Sequence, residues 1–172
     1  RYVITYGNTT KSQATYGSVN YLRFGGSSVN TTKYYRWHST APGRYYITIH
    51  CTGNNSVGAN ADMNARFLAN SSGASIHYCI DSGNTIYRVC PENSTAWHAG
   101  STTSGLYSGN SYAIGIEMCV DPGSRLWTVW QRTAAFIPII MSRWRSGLSS
   151  LACVKQHYSF SYKNCPQELR QA

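Results

Sequence analysis

The segment RYYITIHCT (residues 44–52) is the natural starting point for predicting the fold. It is filled by β-branched and aromatic residues, and a run of this kind is typical of a buried β-strand. It brings His50 to the carboxyl end of the predicted strand. Two further runs, YAIGIEMCV (112–120) and LACVKQHYSF (151–160), predict two more strands of the same sheet.

Helical patterns and one hairpin lie between these strands. An apolar stripe with helical spacing runs through residues 124–147, where Pro138 predicts a kink or a break. The segment SIHYCIDSGNTIYRVC (75–90) predicts a β-hairpin. Strands interleaved with helices, together with a tight hairpin, predict an α/β domain with a mixed central β-sheet flanked by helices.

A shorter helix is predicted over ADMNARFLAN, residues 61–70. Asn60 is the expected N-cap, because an asparagine side chain can accept a hydrogen bond from the first helical turn. The spacing places Met63, Phe67 and Leu68 on one face.

The chain of 172 residues is most simply one domain. Residues 1–44, rich in Tyr, Ser, Thr, Asn and Gly, predict an irregular N-terminal extension packed on the domain formed by residues 45–172. No apolar run approaches the roughly 20 residues that a membrane-spanning helix needs. We therefore expect no membrane partner.

The charge is strongly basic, with 15 Lys and Arg against 6 Asp and Glu, and every acidic residue lies at or after Asp62. Two interpretations stay open. A basic surface attracts polyanions, either nucleic acid or the anionic polymers of a bacterial wall. Alternatively, a chain with 12% charged residues, solvated mainly by uncharged polar side chains, carries a modest basic excess of no functional meaning.

Six cysteines would suggest disulfides in a small secreted chain. Most lie in apolar runs, where a free cysteine behaves as a small hydrophobic residue. Pairing outward from the predicted hairpin turn sets Cys79 opposite Ile86 and Cys90 opposite Ser75, which argues against a bridge between these two cysteines. We expect mostly free thiols.

Two histidines lie at predicted strand ends, His50 after the first strand and His157 after the last. Cys165 follows on a loop. Two imidazoles and a thiolate suit zinc, and three protein ligands leave a position open for water, as hydrolysis requires. Spacing alone leaves open that His50 is an ordinary structural histidine.

Four motifs together resemble one family. The motifs are ITIHCTGN (47–54), ASIHYCIDSGNTIYRVCPENSTAWHAG (74–100), SYAIGIEMC (111–119) and VKQHYSFSYKNCP (154–166). They occur in the order found in N-acetylmuramoyl-L-alanine amidases of the amidase-2 type, a group that includes phage lysins and is related to peptidoglycan recognition proteins. The resemblance covers about residues 45–167 of the 172.

The resemblance implies that residues 45–172 form a zinc amidase domain. It makes His50, His157 and Cys165 the ligands of a Zn²⁺ cofactor. The activity it implies is hydrolysis of the amide bond between N-acetylmuramic acid and L-alanine in bacterial peptidoglycan.

The same resemblance assigns two catalytic residues. Lys163 matches the family lysine that stabilises the tetrahedral intermediate, where a fixed cation acts mainly on the transition state. Glu117 matches the acidic residue that takes a proton from water and passes it to the leaving amine. Many relatives place a catalytic tyrosine where this chain has Ile76, which shifts the proton-handling role to Glu117.

Two more histidines are assigned to substrate binding. His98, in AWHAG, matches a histidine that lines the family's substrate groove. His77, in SIHY, is either a wall of that groove or a hydrogen-bonded core histidine, and we take the wall as the prediction.

The implied partner is bacterial peptidoglycan, with anionic wall polymers as a second candidate. We expect a monomer that acts on the cell wall after secretion or after release by phage lysis. Two alternatives remain: a non-catalytic peptidoglycan-binding receptor of the same fold, and a nucleic-acid-binding domain. Receptors of this kind tend to lack the cysteine ligand, and the chain carries no recognised nucleic-acid reader motif, so we expect no nucleic-acid partner.

Overall fold

The protein is described by a computed structural model over residues 28–100 and 105–170. Its strands are β1 (Ser28–Asn30), β2 (Tyr46–Cys51), β3 (Tyr78–Ile80), β4 (Thr85–Arg88), β5 (Ala113–Met118) and β6 (Val154–Gln156). They form one six-stranded sheet in the order β1-β4-β3-β5-β2-β6. Its helices are α1 (Ala61–Asn70), α2 (Gly109–Tyr112), α3 (Leu126–Arg143), α4 (Tyr158–Ser161) and α5 (Gln167–Arg170).

The sheet is mixed, as the sequence predicted. Strands β3, β5, β2 and β6 run parallel to one another, whereas β4 pairs antiparallel with β3. The carboxyl ends of the parallel strands therefore meet at one edge of the sheet, where α/β folds commonly place their ligands. This single α/β domain with flanking helices confirms the predicted fold class.

The two faces of the central strands differ in character. The core face is the side on which Ile47, Ile49, Ile114 and Ile116 are buried against α3. Because side chains alternate along a strand, the intervening residues point to the opposite side, which we call the site face. The site face of β2 and β5 carries Thr48, His50, Gly115 and Glu117.

Helix α3 covers the core face and runs through Pro138 without interruption. The predicted break is therefore wrong. Proline removes one backbone hydrogen bond and costs about 3 kcal/mol in a helix interior. Phe136, Ile137 and Ile140 flank it and are all buried in the core, so the packing of this helix offsets that cost.

Helix α1 begins as predicted, because the Asn60 side chain accepts a hydrogen bond from the Met63 backbone N–H. Its predicted apolar face divides. Leu68 packs against the buried cluster, but Met63 and Phe67 are 49% and 65% exposed, whereas Ala61 and Ala65 are fully buried. The surface beneath α1 is built from small residues and cysteines, so alanines pack more closely there than the larger side chains would.

The hairpin forms, but its register differs from the prediction by one residue. Cys79 pairs with Tyr87, and the Cys90 N–H donates to the Ile76 carbonyl. The Asp81 carboxylate accepts a hydrogen bond from the Gly83 N–H, which closes a turn centred on Gly83 and shifts the pairing. Cys79 and Cys90 still do not face each other, and all six cysteines, which lie within the described residues, are free.

The predicted last strand is shorter than its motif. Leu151–Cys153 forms a 3₁₀ turn, β6 occupies three residues, and α4 begins at Tyr158. In the described part of the chain, no helix combines the length and hydropathy required to cross a membrane.

The predicted N-terminal extension spans residues 1–44, of which residues 1–27 lie outside the described residues. Residues 28–30 form β1 and thus belong to the sheet. Arg36 donates to the backbone carbonyls of Leu68, Ser71 and Ala74 and so fixes this segment at the carboxyl end of α1.

Candidate metal centre

Three potential ligands meet at the carboxyl edge of the sheet. His50 lies at the end of β2, and His157 directly follows β6, the neighbouring parallel strand. Cys165 reaches the same point from the loop after α4. One donor atom from each of these three buried residues lies within 4.8 Å of the other two. The structure thus brings together the three residues that the sequence suggested as ligands.

The spacing of these atoms fits a metal ion. The Nδ1 atoms of His50 and His157 are 3.1 Å apart, and the Cys165 Sγ is 3.7 Å from the His50 Nδ1. Tetrahedral zinc, with Zn–N of about 2.0 Å and Zn–S of about 2.3 Å, spaces two nitrogens about 3.3 Å apart and a nitrogen and sulfur about 3.6 Å apart. The residues present therefore fit Zn²⁺ in both chemistry and spacing.

Burial sets the protonation of the three side chains. Desolvation, followed by repulsion from His98, His157 and Lys163, lowers the pKa of His50 well below its ordinary value. Desolvation and Lys163 lower the pKa of His157 to about 4. Both imidazoles are thus neutral at pH 7 and have lone pairs available for a metal.

Burial shifts the pKa of the Cys165 thiol in the opposite direction to that of the two imidazoles. Burial raises the pKa of Cys165 to about 11, so the sulfur keeps its proton at pH 7 unless a cation stabilises the thiolate. A divalent ion supplies that stabilisation, and its binding releases the thiol proton.

Glu117 lies beside His50, since these two residues are partners in the β2–β5 ladder. Its side chain is partly exposed, yet desolvation of the carboxyl raises the pKa of Glu117 to about 8, against an opposing effect of Lys163. A carboxyl with this pKa can both accept and donate a proton near neutral pH.

Lys163 is exposed two residues before Cys165. Its positive charge opposes the rise in the pKa of Glu117 and adds to the lowering of the pKa of His157, as expected for an ammonium group in the neighbourhood of both side chains. The predicted base and the predicted cation thus flank the three potential ligands.

His98 lies behind the metal centre. Its Nδ1 is 2.9 Å from the Nε2 of His50, the ring nitrogen that points away from the other two ligands. The loop that carries His98 is held by the Asn110 side chain, whose Oδ1 accepts the backbone N–H groups of His98, Ala99 and Gly100 at 2.8–2.9 Å.

His77 occupies the position of a core histidine. It is fully buried, its Nδ1 accepts from the Gly115 N–H at 3.0 Å, and its Nε2 donates to the Ser94 carbonyl at 2.9 Å. Desolvation and the nearby Arg44 guanidinium lower the pKa of His77 well below its ordinary value. Neither ring nitrogen is offered to a substrate, so this placement does not support a groove wall.

Sequence reasoning missed two residues that build the site. Asn110 has no local pattern that predicts its three backbone contacts. Gly115 does carry a signal, because a glycine inside a strand often marks a close approach. A Cβ at this position would lie 2.5 Å from the Ile76 Cδ1 and 2.8 Å from the His98 Nδ1.

Comparison with known proteins identifies close relatives of this chain. Residues 40–168 match the family model described as N-acetylmuramoyl-L-alanine amidase. The amidase XlyA of Bacillus subtilis (strain 168) is 37% identical over 125 residues, which are 72% of this chain and 40% of XlyA. The amidase CwlH of the same organism is 34% identical over 72% of this chain and 48% of its own length. The chain therefore spans less than half the length of these two curated relatives.

Solved structures show the same fold. A mutant endolysin from Bacillus subtilis superposes with a TM-score of 0.71 at 32% identity, covering 84% of this chain and 93% of the endolysin. The catalytic domain of XlyA gives a TM-score of 0.70 at 31% identity, covering 84% of this chain and 94% of that domain.

Proposed function

The chain belongs to the N-acetylmuramoyl-L-alanine amidase family, and we propose that it hydrolyses the amide bond between N-acetylmuramic acid and L-alanine in bacterial peptidoglycan. In this proposal His50, His157 and Cys165 hold Zn²⁺. The observation that carries it is the convergence of their three donor atoms within 4.8 Å, beside a carboxyl and an ammonium group.

When bound, zinc supplies a Lewis acid and lowers the pKa of water so that a nucleophile is available at neutral pH. Glu117 accepts the proton of the attacking water and returns it to the amine that leaves. Lys163 places its positive charge where negative charge develops on the carbonyl oxygen, an interaction that is strongest in the transition state.

The proposal extends to partners and location. Peptidoglycan is the substrate, and anionic wall polymers are attracted by the net charge of +9. The protein acts as a monomer on the cell wall, after secretion or after release by phage lysis, without nucleic-acid or membrane partners.

The direct test uses purified peptidoglycan. We expect the protein to release soluble peptides with a new free amino group on L-alanine, to lose this activity with a chelator and to regain it when Zn²⁺ is restored. Binding to the wall without release of peptide would instead identify a receptor of the same fold.

A cysteine pair gives a matched control for the metal. Cys165→Ser is expected to lower both zinc content and rate, because a neutral hydroxyl is a poorer ligand than a thiolate. Cys153→Ser changes another buried thiol, which lies in the core on the α3 side, and should keep full zinc content. Full zinc in the Cys165 variant, measured by metal analysis, would require another ligand to be assigned.

A further inference from the structure

We infer that His98 is a positioning residue that fixes the orientation and tautomer of His50, and that it makes no polar contact with the substrate. The inference rests on the proposed metal site and changes the role that the sequence suggested for His98. Its first observation is the 2.9 Å separation between the His50 Nε2 and the His98 Nδ1.

The proton positions follow from the chemistry of imidazole. A neutral histidine carries one proton, and the nitrogen without it is the one that can bind a metal. His50 directs its Nδ1 toward His157 and Cys165, so its proton lies on Nε2. That N–H donates to the His98 Nδ1, and the proton of neutral His98 then lies on its own Nε2.

This arrangement leaves no polar atom of the His98 ring both free and accessible to a substrate. Its Nδ1 is engaged by His50, and its Nε2, which has no hydrogen-bond partner among the described residues, is buried where solvent does not reach it. The two rings meet edge to face, with centroids 5.1 Å apart and an interplanar angle of 83°. His98 therefore supports His50 from the side opposite the metal centre.

The surroundings hold the His98 ring in place. Asn110 fixes the backbone of the loop by accepting three consecutive N–H groups. Gly115 leaves the volume that the ring occupies, because a Cβ there would approach the Nδ1 and Cε1 of His98 to 2.8 and 2.9 Å. The hydrogen bonds of Asn110 and the volume left at Gly115 thus both determine where the His98 ring lies.

The expected consequence is an effect on metal affinity. Partners of metal-binding histidines orient the ring and raise its basicity, and their loss typically weakens metal affinity about 10-fold to 100-fold. A residue that contacts only substrate would change KM and leave metal affinity unaltered.

The test compares two variants of His98. His98→Leu removes the acceptor, and we expect zinc affinity, measured by competition with a chromophoric chelator, to fall about 10-fold to 100-fold. His98→Asn keeps an acceptor oxygen close to the position of Nδ1 and should recover most of that loss. With saturating Zn²⁺, KM for peptidoglycan should match that of the wild type in both variants.

An unchanged zinc affinity in His98→Leu would overturn the inference, whatever happens to KM. Nitrogen NMR of the zinc-loaded wild type gives a second measurement that needs no variant. We expect a protonated Nε2 and an unprotonated Nδ1 in His98, and the reverse tautomer would also overturn it. Both readouts concern the metal centre, so they are independent of whether peptidoglycan proves to be the substrate.

Discussion

The two faces of β2 and β5 are built from alternate residues of the same strands but serve different purposes. On the core face, isoleucines pack against the 18-residue helix α3 and bury a large apolar area. On the site face, the same strands present a threonine, a histidine, a glycine and a glutamate. A period of two along the strand thus separates the residues that stabilise the fold from those available for chemistry.

The two longest described helices, α3 and α1, also pack on different parts of the sheet. Helix α3 packs along β3 and β5 on the core face, whereas the shorter α1 packs on β3 and β4. Helix α1 therefore lies toward the β4 side of the sheet, whereas His50 and His157 come from β2 and the end of β6, on the other side of β5. The difference teaches that the two helices cover different strands, and that the candidate ligands come from strands outside the main contacts of α1.

Substitutions of Glu117 and of its neighbour Ile116, which lie on opposite faces of β5, should differ most in their effect on turnover. Glu117→Gln keeps the shape of the side chain but removes its ability to accept a proton, so we expect turnover to fall about 100-fold to 10,000-fold. Zinc content should not change. Ile116→Val, one residue away on the core face, should keep the wild-type rate. Wild-type release of peptide by the glutamine variant would remove Glu117 from the mechanism.

For stability, the larger effect is expected from the residue on the core face. Ile116 is fully buried in the core, and Ile116→Ala should lower the free energy of unfolding by about 2–5 kcal/mol. Urea unfolding of the metal-free protein measures this loss. At temperatures where the variant stays folded, its zinc affinity should equal that of the wild type. A parallel loss of zinc affinity would show that the two faces are not independent.

The strands and the candidate ligands were predictable from sequence, and the partners of those ligands were not. β-Branched runs locate β2 and β5, and the family motifs point to His50, His157 and Cys165. The contact between His50 and His98, however, joins residues 48 positions apart. It depends on a loop held by Asn110, which has no local pattern that predicts its contacts, and on the volume left at Gly115, where a glycine inside a strand signals a close approach but not which side chain fills the space.

The predictions of the hairpin register and of the residues that α1 buries were inaccurate for a related reason. The Asp81 side chain sets the turn, and a change of one residue there moves every pair of the hairpin. For α1, apolar spacing favoured Met63 and Phe67, but the small residues beneath the helix select alanines. Both outcomes depend on neighbours that the local sequence does not contain.

Acid should destabilise the metal-free protein through the histidines of the site face. Burial lowers the pKa of His77 and His157, the latter to about 4, so both stay neutral in the folded state at a pH where the unfolded chain binds protons. Stability is then complete above the unfolded pKa of about 6.5 and is lost as pH falls toward the folded value.

Urea midpoints of the metal-free protein at several pH values test this prediction. We expect little change between pH 7 and 8 and a progressive decrease between pH 6.5 and 4.5, with protonation of His157 alone costing about 2 kcal/mol at pH 5. A midpoint that stays constant down to pH 4.5 would contradict the assignment of buried neutral histidines.

The smallest expected effect tests which side of α1 faces the sheet. Phe67 is 65% exposed, so Phe67→Ser should change the free energy of unfolding by no more than about 0.5 kcal/mol. Ala65 is fully buried on the other side of the helix, and Ala65→Leu should destabilise by about 1–3 kcal/mol because the added atoms overpack a closely fitted contact. If the serine variant proved the more damaging in urea unfolding, the larger residues would be the packing face. The small side chains would then not explain how α1 packs on β3 and β4.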